Sequence, residues 1–154
     1  DPNYAYAYND RGSAKRQLND FDGAIKDYQK AVLLDKQMSF AYNNLGSAKR
    51  KKGDIKGAIQ EYTKAILMDD KSYIAYNNRG SAKFDDGDYK GAIADYETVL
   101  KLEKLEAEEK QQAYFNLGNT YFNLKDKKKA CENWNKALEN GAEYAKERIN
   151  EHCK

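Results

Sequence analysis

The segments AYNDRGSAK (7–15), AYNNLGSAK (41–49) and AYNNRGSAK (75–83) recur at a spacing of 34 residues, and AYFNLGNTY (113–121) follows after 38. A second block recurs in step: FDGAIKDYQKAVLLD (21–35), IKGAIQEYTKAILMD (55–69), YKGAIADYETVLKLE (89–103) and the looser KKKACENWNKALENG (127–141). Each block places apolar or small residues at helical spacing. Ala41, Tyr42, Leu45 and Ala48 share one helix face, and Ala58, Ile59, Tyr62, Ala65 and Ile66 share another. Turn residues separate the blocks, Asn19-Asp20 in the first unit and Lys52-Gly53-Asp54 in the second, so each unit is a helical hairpin. The register predicts one domain over 1–154, with repeats at about 5–38, 39–72, 73–106 and 111–141 and a last helix at 142–152.

The period accounts for an odd composition. Leu, Ile, Val and Phe supply only 25 of 154 residues, about 16%, and the mean hydropathy is −1.04, values that raise the question of disorder. Against that, Lys+Arg 27 and Asp+Glu 25 nearly cancel, and 19 Ala and 13 Tyr can fill a thin core. No apolar run approaches the roughly 20 residues that span a bilayer, so no membrane span is expected. A net charge of +2 gives no global field of the kind nucleic-acid binders carry, so no nucleic-acid partner is expected. One histidine, His152, leaves no nucleophile–base pair to argue, and the glycines are repeat-spaced without phosphate-loop clustering. No enzyme, cofactor or metal is predicted; His152 beside Cys153 lacks the further ligands zinc needs.

The units resemble the tetratricopeptide repeat (TPR), a 34-residue helix–turn–helix motif. Its pattern asks for an aromatic, then Leu-Gly, a small residue early in helix B, an aromatic four residues on and Ala three beyond; the second repeat has Tyr42, Leu45-Gly46, Ala58, Tyr62 and Ala65. The resemblance implies an all-α fold, a right-handed superhelical solenoid of antiparallel hairpins. Gly12, Gly46, Gly80 and Gly118 sit mid-helix, where glycine costs about 1 kcal/mol relative to alanine, which points to close helix approach. Tyr28, Tyr62, Tyr96 and Trp134 are expected to fill the space between helices.

Departures from the pattern carry information. Arg11 and Arg79 replace the Leu before the glycine, so their stems should pack while the guanidinium reaches the edge. Lys15, Lys49 and Lys83 become Tyr121 in the last repeat, just where Asp27, Glu61 and Asp95 become Asn133. Lysine and acid change together, which predicts an ion pair between helices A and B of one repeat, modest in energy if exposed. Asp1-Pro2-Asn3-Tyr4 resembles an inter-repeat turn and reads as the start of a piece of a longer protein, which leaves the compartment open. Four extra residues in 104–110 should lengthen a helix. After Gly141, Ala142, Ala145 and Ile149 form the stripe of a capping helix, and a hairpin near Gly141 puts Cys131 within reach of Cys153. The alternatives there are a disulfide or two small buried thiols.

TPR arrays hold a peptide or partner helix in a concave face lined by helix A, so the resemblance implies a non-catalytic protein–protein interaction module. The groove positions fall on Asn9 and Asp10, Asn43 and Asn44, Asn77 and Asn78, then Phe115 and Asn116. Ser13, Ser47, Ser81 and Asn119 follow the glycines. Tyr6, Phe40, Ile74 and Gln112 lie near the helix starts, with Arg16, Arg50 and Lys51 farther along in the first half and Phe84, Asp85 and Phe122 in the second. A ladder of amides can pair with the main chain of an extended peptide, since each presents a donor and an acceptor; the alternative is solvated filler copied by duplication. The double substitution Asn44→Ala with Asn78→Ala is expected to weaken binding without lowering stability. The clamp by which some TPR cochaperones hold acidic chaperone tails needs Lys and Asn, Asn, then Lys and Arg; Asn9, Ser13, Asn44, Ile74 and Asn78 stand there, with only Asn44 in agreement. The frame one repeat later, Asn43, Ser47, Asn78, Gln112 and Asn116, also gives a single match. A different class of reading remains, a self-associating scaffold, with a homo-oligomer as the alternative partner state, using convex faces or the open first repeat around Tyr4 and Tyr8.

Overall fold

The computed structural model describes residues 2–154, which contain nine helices and no strand: α1 (Pro2–Gln17), α2 (Phe21–Leu34), α3 (Ser39–Lys51), α4 (Ile55–Met68), α5 (Tyr73–Asp85), α6 (Tyr89–Lys101), α7 (Ala107–Asn123), α8 (Lys127–Glu139) and α9 (Ala145–His152). The fold is an all-α helical-repeat solenoid. Contacts group it into two compact units, residues 1–82 and 83–154. Asp1 lies outside the described residues, and Pro2 to Tyr4 open α1, with proline where a helix tolerates its missing N–H.

Each A-to-B turn is built alike. Asn19, Gly53, Gly87 and Lys125 take positive φ, and the next residue, Asp20, Asp54, Asp88 or Asp126, does two jobs. Its N–H bonds back to the carbonyl of Lys15, Lys49, Lys83 or Tyr121, which closes helix A. Its carboxylate accepts from the N–H of Gly23, Gly57, Gly91 or Lys129, which starts helix B. One aspartate therefore ends one helix and begins the next, and this fixes a sharp reversal.

Within each hairpin the glycine admits the ring. A Cβ added at Gly12 would lie 2.9 Å from Tyr28, at Gly46 2.8 Å from Tyr62, and at Gly118 2.3 Å from Trp134. Tyr28, Tyr62, Tyr96 and Trp134 are buried, as are Ala24, Ala58, Ala92 and Ala130. In the first unit Tyr28 and Ala24 pack with Leu45 and Ala48, and Ala31 packs with Met38 and Ala41, so each helix B is covered by the next helix A.

The second unit carries the insertion and the cap. Helix α7 has 17 residues against 13 in α3, so the added turn extends its start, closed by reciprocal bonds between Glu106 and Glu109. At the other end, Gly141 with φ 101° ends α8, and the N–H of Ala142 bonds to the carbonyl of Ala137. Residues 142–144 form a turn, so the helix of the cap begins at Ala145, three residues later than the stripe pattern suggested. Ala142, Ala145 and Ile149 pack on Ala130, Trp134 and Ala137. Cys131 and Cys153 are joined, with Cα atoms 5.6 Å apart, and closing a loop between residues 22 apart in sequence stabilises by about 3 kcal/mol in the chain-entropy account.

Candidate functional site

The lysine–acid pairs frame the hairpins from which the groove residues project. Lys15 lies 2.8 Å from Asp27, Lys49 2.6 Å from Glu61 and Lys83 2.9 Å from Asp95. All three acids are buried, so these are not weak surface pairs. In the last repeat, where the pair is absent, Lys129 sits 5.1 Å above the Tyr121 ring instead. Arg11 does not stop at the edge: Nε and Nη2 grip both oxygens of Asp27, at 2.8 and 2.6 Å. Arg79 instead donates to Thr63 Oγ1 at 3.2 Å.

Hydrogen bonds from Arg11, opposed by burial and reinforced by Lys15, hold the Asp27 carboxyl at about 2, below its ordinary 3.8. A carboxyl held lower in the folded state stabilises the fold fully above about pH 4, and that contribution is lost as the pH falls toward 2. Its size is at most about 2 kcal/mol, reduced by the solvent-facing guanidinium. The stability difference between the wild type and Asp27→Asn should therefore be largest near pH 5 and shrink toward pH 2. Urea midpoints across that range measure it, and a difference that stays constant contradicts the assignment.

In the first unit the structure brings most of the groove residues into rows. Tyr6, Phe40 and Ile74 are exposed at 51%, 43% and 47%, and the Tyr6 and Phe40 rings meet at 5.7 Å. The paired asparagines have a role that the sequence did not disclose. Asn44 Nδ2 donates to Asn9 Oδ1 at 2.9 Å, and Asn78 Nδ2 donates to Asn43 Oδ1 at 2.9 Å. The second amide of each helix A thus reaches back to the first amide of the helix A before it, and Asn9 also donates to Asp10 at 3.3 Å. Consequently Asn44→Ala with Asn78→Ala should cost stability as well as binding. Ser13 shares a 3.0 Å hydrogen bond with the Tyr28 hydroxyl. Ser47, Arg50 and Ser81 are half-buried beside these rows.

Two of the three buried side-chain polar atoms without a partner among the described residues are Asn77 Oδ1 and Arg16 Nε, both on groove positions; the third is Gln111 Oε1. A buried polar atom left unpaired costs about 1–3 kcal/mol, so neither of the two groove atoms is a stabilising feature of the folded chain.

In the second unit, Asn116 and Asn119 are half-buried on α7, and Asn119 Oδ1 accepts from Trp134 Nε1 at 3.1 Å. A recess there is lined by Phe84, Asn119, Phe122, Asn123 and Arg148. Arg148 and Asn123 were not anticipated. The apolar stripe of α9 tells which side is buried, but not which exposed residues border a cleft.

Models of the tetratricopeptide repeat match residues 5–38, 43–107 and 111–140. The crystal structure of the MamA protein is similar at 30% identity and a TM-score of 0.77, covering 88% of this chain and 72% of that one. The chain belongs to the tetratricopeptide repeat family. TPR proteins are generally non-catalytic, and the fold is that of a protein–protein interaction module. Two further TPR structures are similar. The first TPR of Spaghetti, bound to an HSP90 peptide, matches at 25% identity and a TM-score of 0.74, covering 80% of this chain and 95% of that one. The Arabidopsis OM64 TPR domain matches at 25% identity and a TM-score of 0.73, over 79% and 98%. No curated protein matches the chain. Among the described residues no helix is long and apolar enough to cross a membrane.

Proposed function

We infer that this TPR protein binds an extended peptide along the helix A rows of its first unit. The observation that carries this reading is the pair of unsatisfied buried atoms, Asn77 Oδ1 and Arg16 Nε, in rows that already hold ordered amides. An acceptor and a donor are both needed to pair with a peptide main chain, and the exposed Tyr6, Phe40 and Ile74 offer contact for its apolar side chains. The Spaghetti TPR bound to the HSP90 peptide SRMEEVD shows that a similar fold takes a peptide. The ligand of this chain is of another kind, because the three cation positions of the clamp hold Asn9, Ile74 and Asn78.

Asn77 separates binding from stability. Removing an orphaned acceptor sacrifices no internal hydrogen bond and relieves its desolvation cost, so Asn77→Ala should not lower the unfolding midpoint. It should weaken binding of a heptapeptide selected by phage display about 3–10-fold, the worth of one hydrogen bond. Calorimetric titration with the wild type and Asn77→Ala decides the matter. Equal affinity, or selection of no peptide at all, contradicts groove binding.

A second reading, self-association, has one observation in its favour. Tyr4, Ala7, Arg11 and Ala14 of α1 are exposed, whereas their equivalents one repeat later, Met38 just before α3 and Ala41, Leu45 and Ala48 within it, are buried under helix B. Sedimentation over a concentration series separates the two readings, a stable monomer favouring the peptide groove.

A further inference from the structure

We propose that the recess between the end of α5, the face of α7 and α9 binds an acidic side chain and the apolar residue beside it in a peptide. Its lining is Phe84, Asn119, Phe122, Asn123 and Arg148, around about 330 Å³. That lies at the small end of ligand sites and suits one or two side chains better than a cofactor. The proposal rests on the reading of the protein as a peptide binder, but it uses only residues of the second unit.

The chemistry of the lining selects the ligand. Arg148 has no carboxylate partner among the described residues, while its neighbour on α9, Lys146, pairs with Glu143 at 2.5 Å, and Glu151 lies 3.4 Å from His152. Trp134 Nε1 engages Asn119 Oδ1, which leaves the Nδ2 hydrogens of Asn119 as donors. A guanidinium and an amide N–H are a donor set for a carboxylate. Two phenylalanine rings beside them would be wasted on a free inorganic anion, and they fit an apolar side chain next in sequence.

The walls are also held in place before any ligand arrives. The Phe122 ring lies 4.5 Å from His152 and 5.6 Å from Trp134, and Phe84 meets Tyr89 edge-on at 5.3 Å. Asn123 Nδ2 donates to the Asn119 carbonyl at 2.9 Å, and the Cys131–Cys153 link ties down the end of α9, the helix that carries Arg148. Binding therefore spends little on ordering side chains.

The test uses the full chain and blocked heptapeptides, acetylated and amidated, of sequence GSGFEGS, GSGFQGS and GSGGEGS, with GSGSGSF carrying a free carboxylate. Proton–nitrogen spectra follow each titration. The FE peptide should shift the side-chain amides of Asn119 and Asn123, and should bind at least about fivefold more tightly than the FQ or GE peptide, as one charge-assisted contact requires. Arg148→Gln should abolish that preference with an unchanged unfolding midpoint, and Lys146→Gln should preserve it. Equal binding of FE and FQ, an unaffected Arg148→Gln, or tighter binding of the chain-end carboxylate each overturns the proposal. These outcomes are independent of Asn77→Ala, so loss of the acid preference while Asn77→Ala still weakens the selected peptide rejects the recess and leaves the groove reading standing.

Discussion

Lys49→Met should destabilise the protein by about 2–4 kcal/mol, a large effect for a lysine. Glu61 is 5% exposed, and its two oxygens are held by Lys49 at 2.6 Å and Lys64 at 2.9 Å. Removing Lys49 leaves a buried carboxylate with one partner, Lys64, whose side chain is half in water. The cost is that of an under-compensated buried charge and not of the pair itself, so replacing both members by apolar residues should recover much of it. Lys49→Met with Glu61→Met is accordingly expected to be more stable than Lys49→Met alone. For a chain of this size the single variant should melt about 5–10 °C lower. Lys15→Met provides a built-in comparison, because Asp27 keeps the two-pronged grip of Arg11 and should lose much less. A thermodynamic cycle with no coupling between Lys49 and Glu61, or equal losses at Lys15 and Lys49, would sink the account.

The sequence exposed this pairing because lysine and acid disappear together in the last repeat, at Tyr121 and Asn133. It did not expose the depth of the acids. Burial depends on how far the aromatic of the same helix B sinks beneath the glycine of helix A, and that is a property of packing. The hairpins themselves were legible, since each rests on local chemistry repeated in register: the turn aspartate, the mid-helix glycine and the ring opposite it. The groove was legible only as a set of positions. Whether Asn44 faces a ligand or its neighbour depends on the offset between successive helices A, and the bond to Asn9 joins residues 35 apart in sequence. Arg148 was invisible for a related reason. Its meaning comes from Phe84 and Asn119, which lie in other repeats, and no periodicity links a capping helix to them.

Trp134→Ala carries the other large effect, about 3–5 kcal/mol, as expected for emptying a fully buried aromatic site. Trp134 occupies the place that Tyr28 and Tyr62 fill in earlier hairpins, and it approaches its glycine more closely than either. Its ring also touches Phe122 at 5.6 Å and His152 at 5.8 Å, so it links α7, α8 and the cap. Trp134→Tyr should recover most of the loss, because a smaller ring meets the same glycine and the earlier repeats show that such a pair packs. In a repeat fold each hairpin is stabilised chiefly by its neighbours, so the damage should be local. Amide exchange in Trp134→Ala is expected to quicken across α7, α8 and α9 while α1 to α3 keep their protection. Uniform quickening along the chain, or a loss below about 1 kcal/mol, would show that Trp134 does not hold the last hairpin together. The substitution also removes the donor that orients Asn119, so acid preference at the recess should fall even in protein that remains folded. Trp134→Phe then isolates that contribution, since it keeps a ring opposite Gly118 but has no N–H to offer.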